Sequence, residues 1–392
     1  MRLQPVALDE RVEAIDLMRG FALLGILLIN MLAFHSPLYY IDPYTWFDAP
    51  GDTATFSFLD VFVQASFYPL FAMLFGYGLG MQFLRAEERN RSFAPMAVKR
   101  LSVLLIFGIL HAFLIWYGDI LITYAIMGFL LIGMIRLESK WLLSLGVIIY
   151  VIPQTLLLVM MFAAVALDSS FYVGIQQVQN SIAAYGGGTF AEIFRQRFDD
   201  WMYGNNPLNY IILIVTILPL TMIGAAAAKW QLIERTKELK KLWIALMAAG
   251  LIAGLLLKLT PYIFGPNIAL TFLQEIFGGP LLAVSYAAII ALLAQSDGTR
   301  KLLRPLTKVG RMSMTTYIMQ SLIATTIFYS YGLGLYGQVS LLTGTLMAFG
   351  IFALQLIFAE IWLTKFSQGP LEIFWRKLTY GLNFEKSNKS NN

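Results

Sequence analysis

The chain holds two histidines, and His111 lies inside an almost wholly apolar run from Leu101 to Ile135 that also carries Asp119. An ionisable side chain near hydrocarbon costs roughly 2.5–3.5 kcal/mol on insertion scales, so such a residue is a functional candidate by default. Neutral imidazole accepts or donates a proton near pH 7, and a carboxylate partner orients the ring and favours the imidazolium. His111 with Asp119 thus has the makings of a general base and the acid that orients it. Other polar groups interrupt apolar segments in the same way: Asn30 and His35, Asp60 and Gln64, and Gln274 with Glu275.

These residues must be positioned by membrane helices. Apolar residues make up 58% of the 392, charged residues 13%, and the mean hydropathy is +0.69, whereas a soluble domain is roughly 25% charged. The fold class implied is all-α, a polytopic integral membrane bundle. The net charge of +5 is spread over short loops without a basic patch interleaved with stacking aromatics, so no nucleic acid is expected as a partner. Cysteine is absent, which excludes a thiol nucleophile, a disulfide framework and a cysteine metal site. Two histidines without cysteine argue against zinc, and no metal is expected. The first apolar segment, from Ile15 to Phe34, has no small-x-small cleavage site after it and reads as a retained helix.

Windows of about 20 apolar residues mark transmembrane helices. They fall near 15–34, 56–84, 98–117, 119–136, 141–167, 209–229, 242–263, 270–294, 312–331 and 340–364, about ten spans. The second is long enough to tilt or to bend at Pro69. With both termini cytoplasmic, alternate loops collect all of the 28 Lys and Arg residues except Arg195, Arg197 and Lys258, as the positive-inside rule requires. Residues 1–140 form an N-terminal half of four helices, and 141–392 a C-terminal half of six with an outer loop at 168–208. That loop reads either as amphipathic helices on the outer face or as a flexible connector. The tail 385–392 reads as disordered.

Depth follows from this topology. Asn30, His35, Asp60, Gln64, His111, Asp119, Gln274 and Glu275 all fall in the outer half, as a cavity open to the outer face would need. The plainer alternative is a set of interfacial residues bonded to one another or snorkelling to headgroups, and Lys258 fits snorkelling. At the inner ends, Asp16 and Arg19 share a helix face at i, i+3, with Arg100, Arg311 and Arg376-Lys377 nearby. These basic residues either satisfy topology alone or bind an anionic ligand such as a phosphate-bearing carrier. No P-loop, GxSxG, HExxH or Rossmann fingerprint is present. Gly76-Tyr77-Gly78-Leu79-Gly80 reads as helix packing, not phosphate binding.

The stretch Asp16-Leu17-Met18-Arg19-Gly20 through Asn30 resembles the first helix of the YeiB family of bacterial membrane proteins. Leu74-Phe75-Gly76-Tyr77-Gly78, Gly108-Ile109-Leu110-His111 and Trp116-Tyr117-Gly118-Asp119 are similar to that family too. So are Gly310-Arg311-Met312-Ser313 through Tyr317 with Gln320-Ser321, and Gly369-Pro370-Leu371-Glu372 with Trp375-Arg376-Lys377. The N-terminal half is also similar to the transmembrane acyltransferase group that includes heparan-glucosaminide acetyltransferase. That resemblance implies an acyl-CoA donor on the cytosolic side and an acceptor on the other. It also implies an asparagine at the outer end of the first helix, matched by Asn30, and a histidine after it, for which His35 is the counterpart.

The expectation is a bacterial plasma-membrane acyltransferase moving acetyl or another acyl group from cytosolic acyl-CoA to an extracytoplasmic or lipid-borne hydroxyl or amine. His111, or else His35, would be general base, with Asp119 orienting or Asp60 assisting. Asn30 would stabilise the oxyanion, and Arg19, Arg100 and Arg311 would hold the donor's phosphates. The partners expected are the lipid bilayer, acyl-CoA, the acceptor and, as an option, a second copy in a homodimer. The alternatives are a small-solute transporter or channel using the same polar groups, and a receptor-like protein without chemistry.

Overall fold

A computed structural model describes residues 12–167 and 173–380. Arg2, Arg11, the start of the outer loop at Asp168 and the tail 385–392 lie outside the described residues. Among those described, all regular structure is helical. The first half runs α1 (Glu13–His35), α2 (Pro43–Trp46), α3 (Asp52–Phe62), α4 (Phe67–Glu88), α5 (Ala94–Leu114), α6 (Leu121–Met134) and α7 (Ser139–Val165). Then come α8 (Ile175–Gly187), α9 (Phe190–Gly204), α10 (Pro207–Lys229), α11 (Lys240–Lys258), α12 (Thr260–Phe264) and α13 (Ile268–Leu273). A π-helical turn (Gln274–Gly278) leads into α14 (Gly279–Leu293), followed by α15 (Asp297–Leu302), α16 (Arg304–Arg311), α17 (Ser313–Phe328), α18 (Leu341–Lys365) and α19 (Pro370–Tyr380).

Among the described residues, eight helical stretches are long and apolar enough to cross a membrane. They are α1, α3 with α4, α5, α7, α10, α11 with α12, α13 with α14, and α18. The chain is a multi-pass membrane protein. The other two expected spans are helical but short, with 14 residues in α6 and 16 in α17. At 1.5 Å per residue these reach about 21 and 24 Å, less than the hydrocarbon thickness of about 30 Å. The expected helix from 119 starts instead at Leu121, because residues 115–120 make a turn that folds over the end of α5.

The second span breaks earlier than Pro69. Residues 63–66 form turns between α3 and α4, and Ala65 adopts a left-handed φ of 55°. Pro69 cannot donate to the carbonyl of Ala65, so it sits in the first turn of α4, where no donor is needed. The Gly76–Gly80 string does serve packing, since Cβ atoms there would lie 1.9 Å from the Thr221 carbonyl oxygen and 2.8 Å from Ala228. The outer loop does hold helices, α8 and α9, the latter opened by a capping box from Thr189 and Glu192.

The basic segments gather at one end of the bundle. Arg300 meets Glu13 at 3.6 Å, Lys308 meets Glu360 at 2.5 Å, and Lys229 donates to the Leu137 carbonyl at 2.7 Å. The Trp375 indole donates to the Arg100 carbonyl at 3.0 Å. At the opposite end Gly337 N–H donates to the His35 carbonyl at 2.8 Å, Leu342 N–H to Asp52 at 2.8 Å, and Tyr40 to Asp200 at 2.7 Å. Burial raises the Asp200 carboxyl above its usual range, opposed by hydrogen bonds from Tyr185, Tyr40 and Gln196.

Candidate functional site

A cavity of about 270 Å³ enters the bundle from the basic end between α1, α4, α5, α16, α17 and α19. Arg19, Arg85, Arg89, Arg100, Arg311 and Arg376 line it, against the carboxylates of Asp16 and Glu372. The three arginines expected to act together are therefore brought together, with three more beside them. Their placement rests on a close helix crossing. A Cβ on Gly310 would lie 1.8 Å from the Asp16 carbonyl oxygen, and one on Gly20 2.0 Å from that of Leu306. Only glycine at both positions lets α16 lie against α1, which sets Arg311 beside Arg19. Arg19 pairs with Asp16 at 3.0 Å, and Arg100 stacks on the Trp375 ring at 4.3 Å while donating to Gln82 at 3.1 Å.

Glu372 ties α19 to α17. Its carboxylate accepts from Met314 N–H at 2.7 Å, Thr315 N–H at 3.1 Å and the Thr315 hydroxyl at 2.6 Å. These are unpaired donors of a helix N-terminus, where negative charge is favoured. Burial nonetheless raises the Glu372 carboxyl above its usual range, with the Thr315 and Met314 hydrogen bonds opposing.

Deeper in, the lining turns apolar: Leu23, Phe71, Phe75, Leu101, Leu104 and Leu121. A second cavity of about 130 Å³ lies toward the other end, lined by Asn30, Gln64, Tyr68 and Gly118 among others. The two share Ile26, Ile120 and Tyr317 in their walls. Those three side chains make the neck at which a cationic inner chamber abuts a neutral outer one.

His111 lies beside that neck, not in it. Its ring packs 5.1 Å from that of Tyr317. Nδ1 meets Asp119 Oδ1 at 2.8 Å, and both side chains are fully buried. Asp119 also accepts from Ile122 N–H at 2.7 Å, satisfying an unpaired donor at the start of α6. With the carboxylate ionised, Nδ1 carries the proton and Nε2 is left as acceptor. Nε2 faces the hydroxyl of Ser321 at 2.9 Å. The Trp116–Asp119 turn closes over this group. The Trp116 ring packs tilted against Phe34 at 4.1 Å and lies 2.3 Å from where a Cβ on Gly118 would be, so the position demands glycine. The Gly118 carbonyl accepts from the Tyr317 hydroxyl at 3.2 Å.

Asp60 is not brought to His111. It belongs to a separate buried network, accepting from Gln274 Nε2 at 2.9 Å, Tyr262 at 2.9 Å and Tyr44 at 3.1 Å. Lys258 does not snorkel. Its residue is fully buried, and Nζ donates to the carbonyls of Asp60 at 2.7 Å and Gln64 at 2.8 Å. The break after α3 strands those carbonyls, and apolar surroundings require them to be paired. His35 likewise joins neither cavity. It is 1% exposed, packed between Phe47, Phe328 and Gly344, because the loop after α1 folds back over it. The outer polar residues thus form not one cluster but several.

The residues that spacing alone did not single out for chemistry are Ser321 and Tyr317. Both stand in the Gly310–Ser321 stretch, but nothing local tells that Ser321 meets a ring 210 positions away. Arg85 and Arg89 were legible only as loop charge. Among the described residues, no three His, Cys, Asp or Glu side chains come together to hold a metal ion.

Comparisons place the chain among known proteins. The family model described as "Protein of unknown function (DUF418)" matches residues 227–382. A Bacillus subtilis (strain 168) protein, "Uncharacterized protein YxaH", is 36% identical across 96% of each chain. The Bacillus acidopullulyticus "Uncharacterized 39.9 kDa protein in amylase 3'region" is 29% identical across 97% of each. The Escherichia coli (strain K12) "Uncharacterized protein YeiB" is 30% identical across 94% of this chain and 96% of its own. Identity of this extent over nearly the whole length, with the motifs gathered around one pair of cavities, makes the chain a member of the YeiB-like family of polytopic membrane proteins.

Proposed function

We propose that the protein is a bacterial plasma-membrane acyltransferase with its basic end in the cytoplasm. Acyl-CoA is the donor, and an extracytoplasmic or lipid-borne hydroxyl or amine is the acceptor. The observation that carries this reading is the pair of cavities meeting at Ile26, Ile120 and Tyr317. Six arginines suit the phosphates of a CoA headgroup, since guanidinium binds phosphate in bidentate fashion. The apolar sleeve beyond them suits a pantetheine arm and acyl chain, and the neck would hold the thioester. Asn30, across the neck in the outer chamber, would stabilise the developing oxyanion. His111, oriented by Asp119, would take the proton of the attacking group. Over the whole transfer the acyl carbon exchanges its bond to sulfur for one to the acceptor's heteroatom, and the thiolate leaves as the thiol with a proton passed through His111.

Transport is the second reading. Two helix interruptions lie against each other, at residues 63–66 and at the π-helical turn, joined by Gln64 Nε2 donating to Glu275 at 2.8 Å. Discontinuous helices often mark transport sites. The apolar neck favours acyl transfer, because a polar solute would find no partners there.

The chain has no cysteine, so any thiol that appears on incubating the purified protein with acyl-CoA is the released carrier. Sustained thiol release, beyond one equivalent per chain, that depends on an acceptor and needs about tenfold more donor in Arg19→Ala or Arg311→Ala is the expected result. The absence of thiol release and of acyl transfer to any cell-envelope fraction overturns the proposal. Solute flux into proteoliposomes that vanishes in His111→Ala decides for transport.

A further inference from the structure

Ser321 is the third member of a chain of side chains that begins at Asp119. Nδ1 of His111 lies 2.8 Å from the Asp119 carboxylate and Nε2 lies 2.9 Å from the Ser321 hydroxyl; with the carboxylate ionised, Nδ1 donates and the Nε2 lone pair faces the hydroxyl. This is the order of partners in a Ser-His-Asp triad, which is recognised by geometry and roles and not by position in the sequence. Hydroxyls inside apolar helices commonly bond back to their own helix. Thr326 on α17 does so, to the Leu322 carbonyl at 2.7 Å. Ser321 directs its hydroxyl at the imidazole instead.

We propose that Ser321 is the nucleophile of a two-step transfer and carries the acyl group between donor and acceptor. The inference rests on the acyl-transfer reading and adds to it the attacking atom. Tyr317 precedes Ser321 by one turn on the same face of α17. Its ring packs on His111 and stands in the wall of both cavities, held by the hydroxyl's bond to the Gly118 carbonyl at 3.2 Å. The transfer requires that one side chain to rotate, since His111 and Ser321 line neither cavity.

In the first step Ser321 Oγ attacks the thioester carbonyl and His111 Nε2 takes the hydroxyl proton. The C–S bond breaks, and the thiolate leaves as the thiol with that proton. In the second step the acceptor hydroxyl or amine gives its proton to His111 and attacks the Ser321 ester. The bond from the acyl carbon to Oγ breaks, and Oγ recovers the proton. Nothing is oxidised or reduced.

The test is to incubate the purified full-length protein with acetyl-CoA or a longer acyl-CoA, without acceptor, and to map any added mass by peptide. The expected result is one acyl group per chain on Ser321, released by hydroxylamine. Ser321→Ala should carry none and should transfer at least about 100-fold more slowly at unchanged melting temperature. Wild-type protein that transfers acyl groups without an adduct on Ser321, or with the adduct elsewhere, overturns the nucleophile and leaves acyl transfer standing. Wild-type protein that releases no thiol from any acyl-CoA overturns the acyl-transfer reading, and the nucleophile with it.

Discussion

At the residue scale, what distinguishes His111 is that its two ring nitrogens have chemically different partners, a carboxylate and a hydroxyl. Asp119→Asn keeps the shape but lets either tautomer form, so acyl transfer should fall by about 100-fold or more while the melting temperature moves little. Thiol release and a thermal melt on the same preparation check both halves. Lys258 invites the opposite result. Lys258→Met strands the Asp60 and Gln64 carbonyls that its ammonium now pairs, and should cost about 1–3 kcal/mol of stability, read as a lowered melting temperature. The sequence singled out His111 and Asp119, because ionisable groups stand out against an apolar run. It misjudged Lys258, because a lysine near a helix end has the same signature whether it snorkels outward or turns inward. Ser321 carries no such signature at all.

At the element scale, the inner cavity depends on how closely α16 approaches α1. A methyl group on Gly310 would fall 1.8 Å from the Asp16 carbonyl oxygen, so Gly310→Ala must push the helices apart. The expected cost is about 1–3 kcal/mol, together with weaker acyl-CoA binding, because Arg19 and Arg311 separate. Calorimetric titration with a non-hydrolysable acyl-CoA analogue would show whether affinity falls with stability. Helix positions were legible from windows of about 20 apolar residues. The second span, read as able to tilt or to bend at Pro69, breaks just before that residue, since proline sits in the first turn of α4 and the chain unwinds ahead of it. The shortness of α6 and α17 was hidden by the apolar residues of the flanking turns, which cover the site and do not extend the helix.

At the scale of the whole molecule, the basic segments meet at one end and the long loop with α8 and α9 at the other, as the alternation of Lys and Arg along the chain requires. The cysteine-free background makes this testable by single substitutions. In intact bacterial cells a membrane-impermeant thiol reagent should label Thr45→Cys and spare Ser92→Cys, both exposed positions, and reversed labelling would invert the orientation. Which polar residues share a chamber was beyond the sequence, because depth is readable from topology but the angle around each helix is set by packing. In the proposed transfer acyl groups pass the neck between the two cavities, and sided vesicles measure that passage directly. Labelled acyl-CoA is supplied only to the basic face, and label is followed into acceptor on the opposite face. Transfer from that face alone, abolished when Ile26→Trp fills the neck, is the predicted result. Transfer that persists in Ile26→Trp, or that proceeds equally from either face, would contradict it.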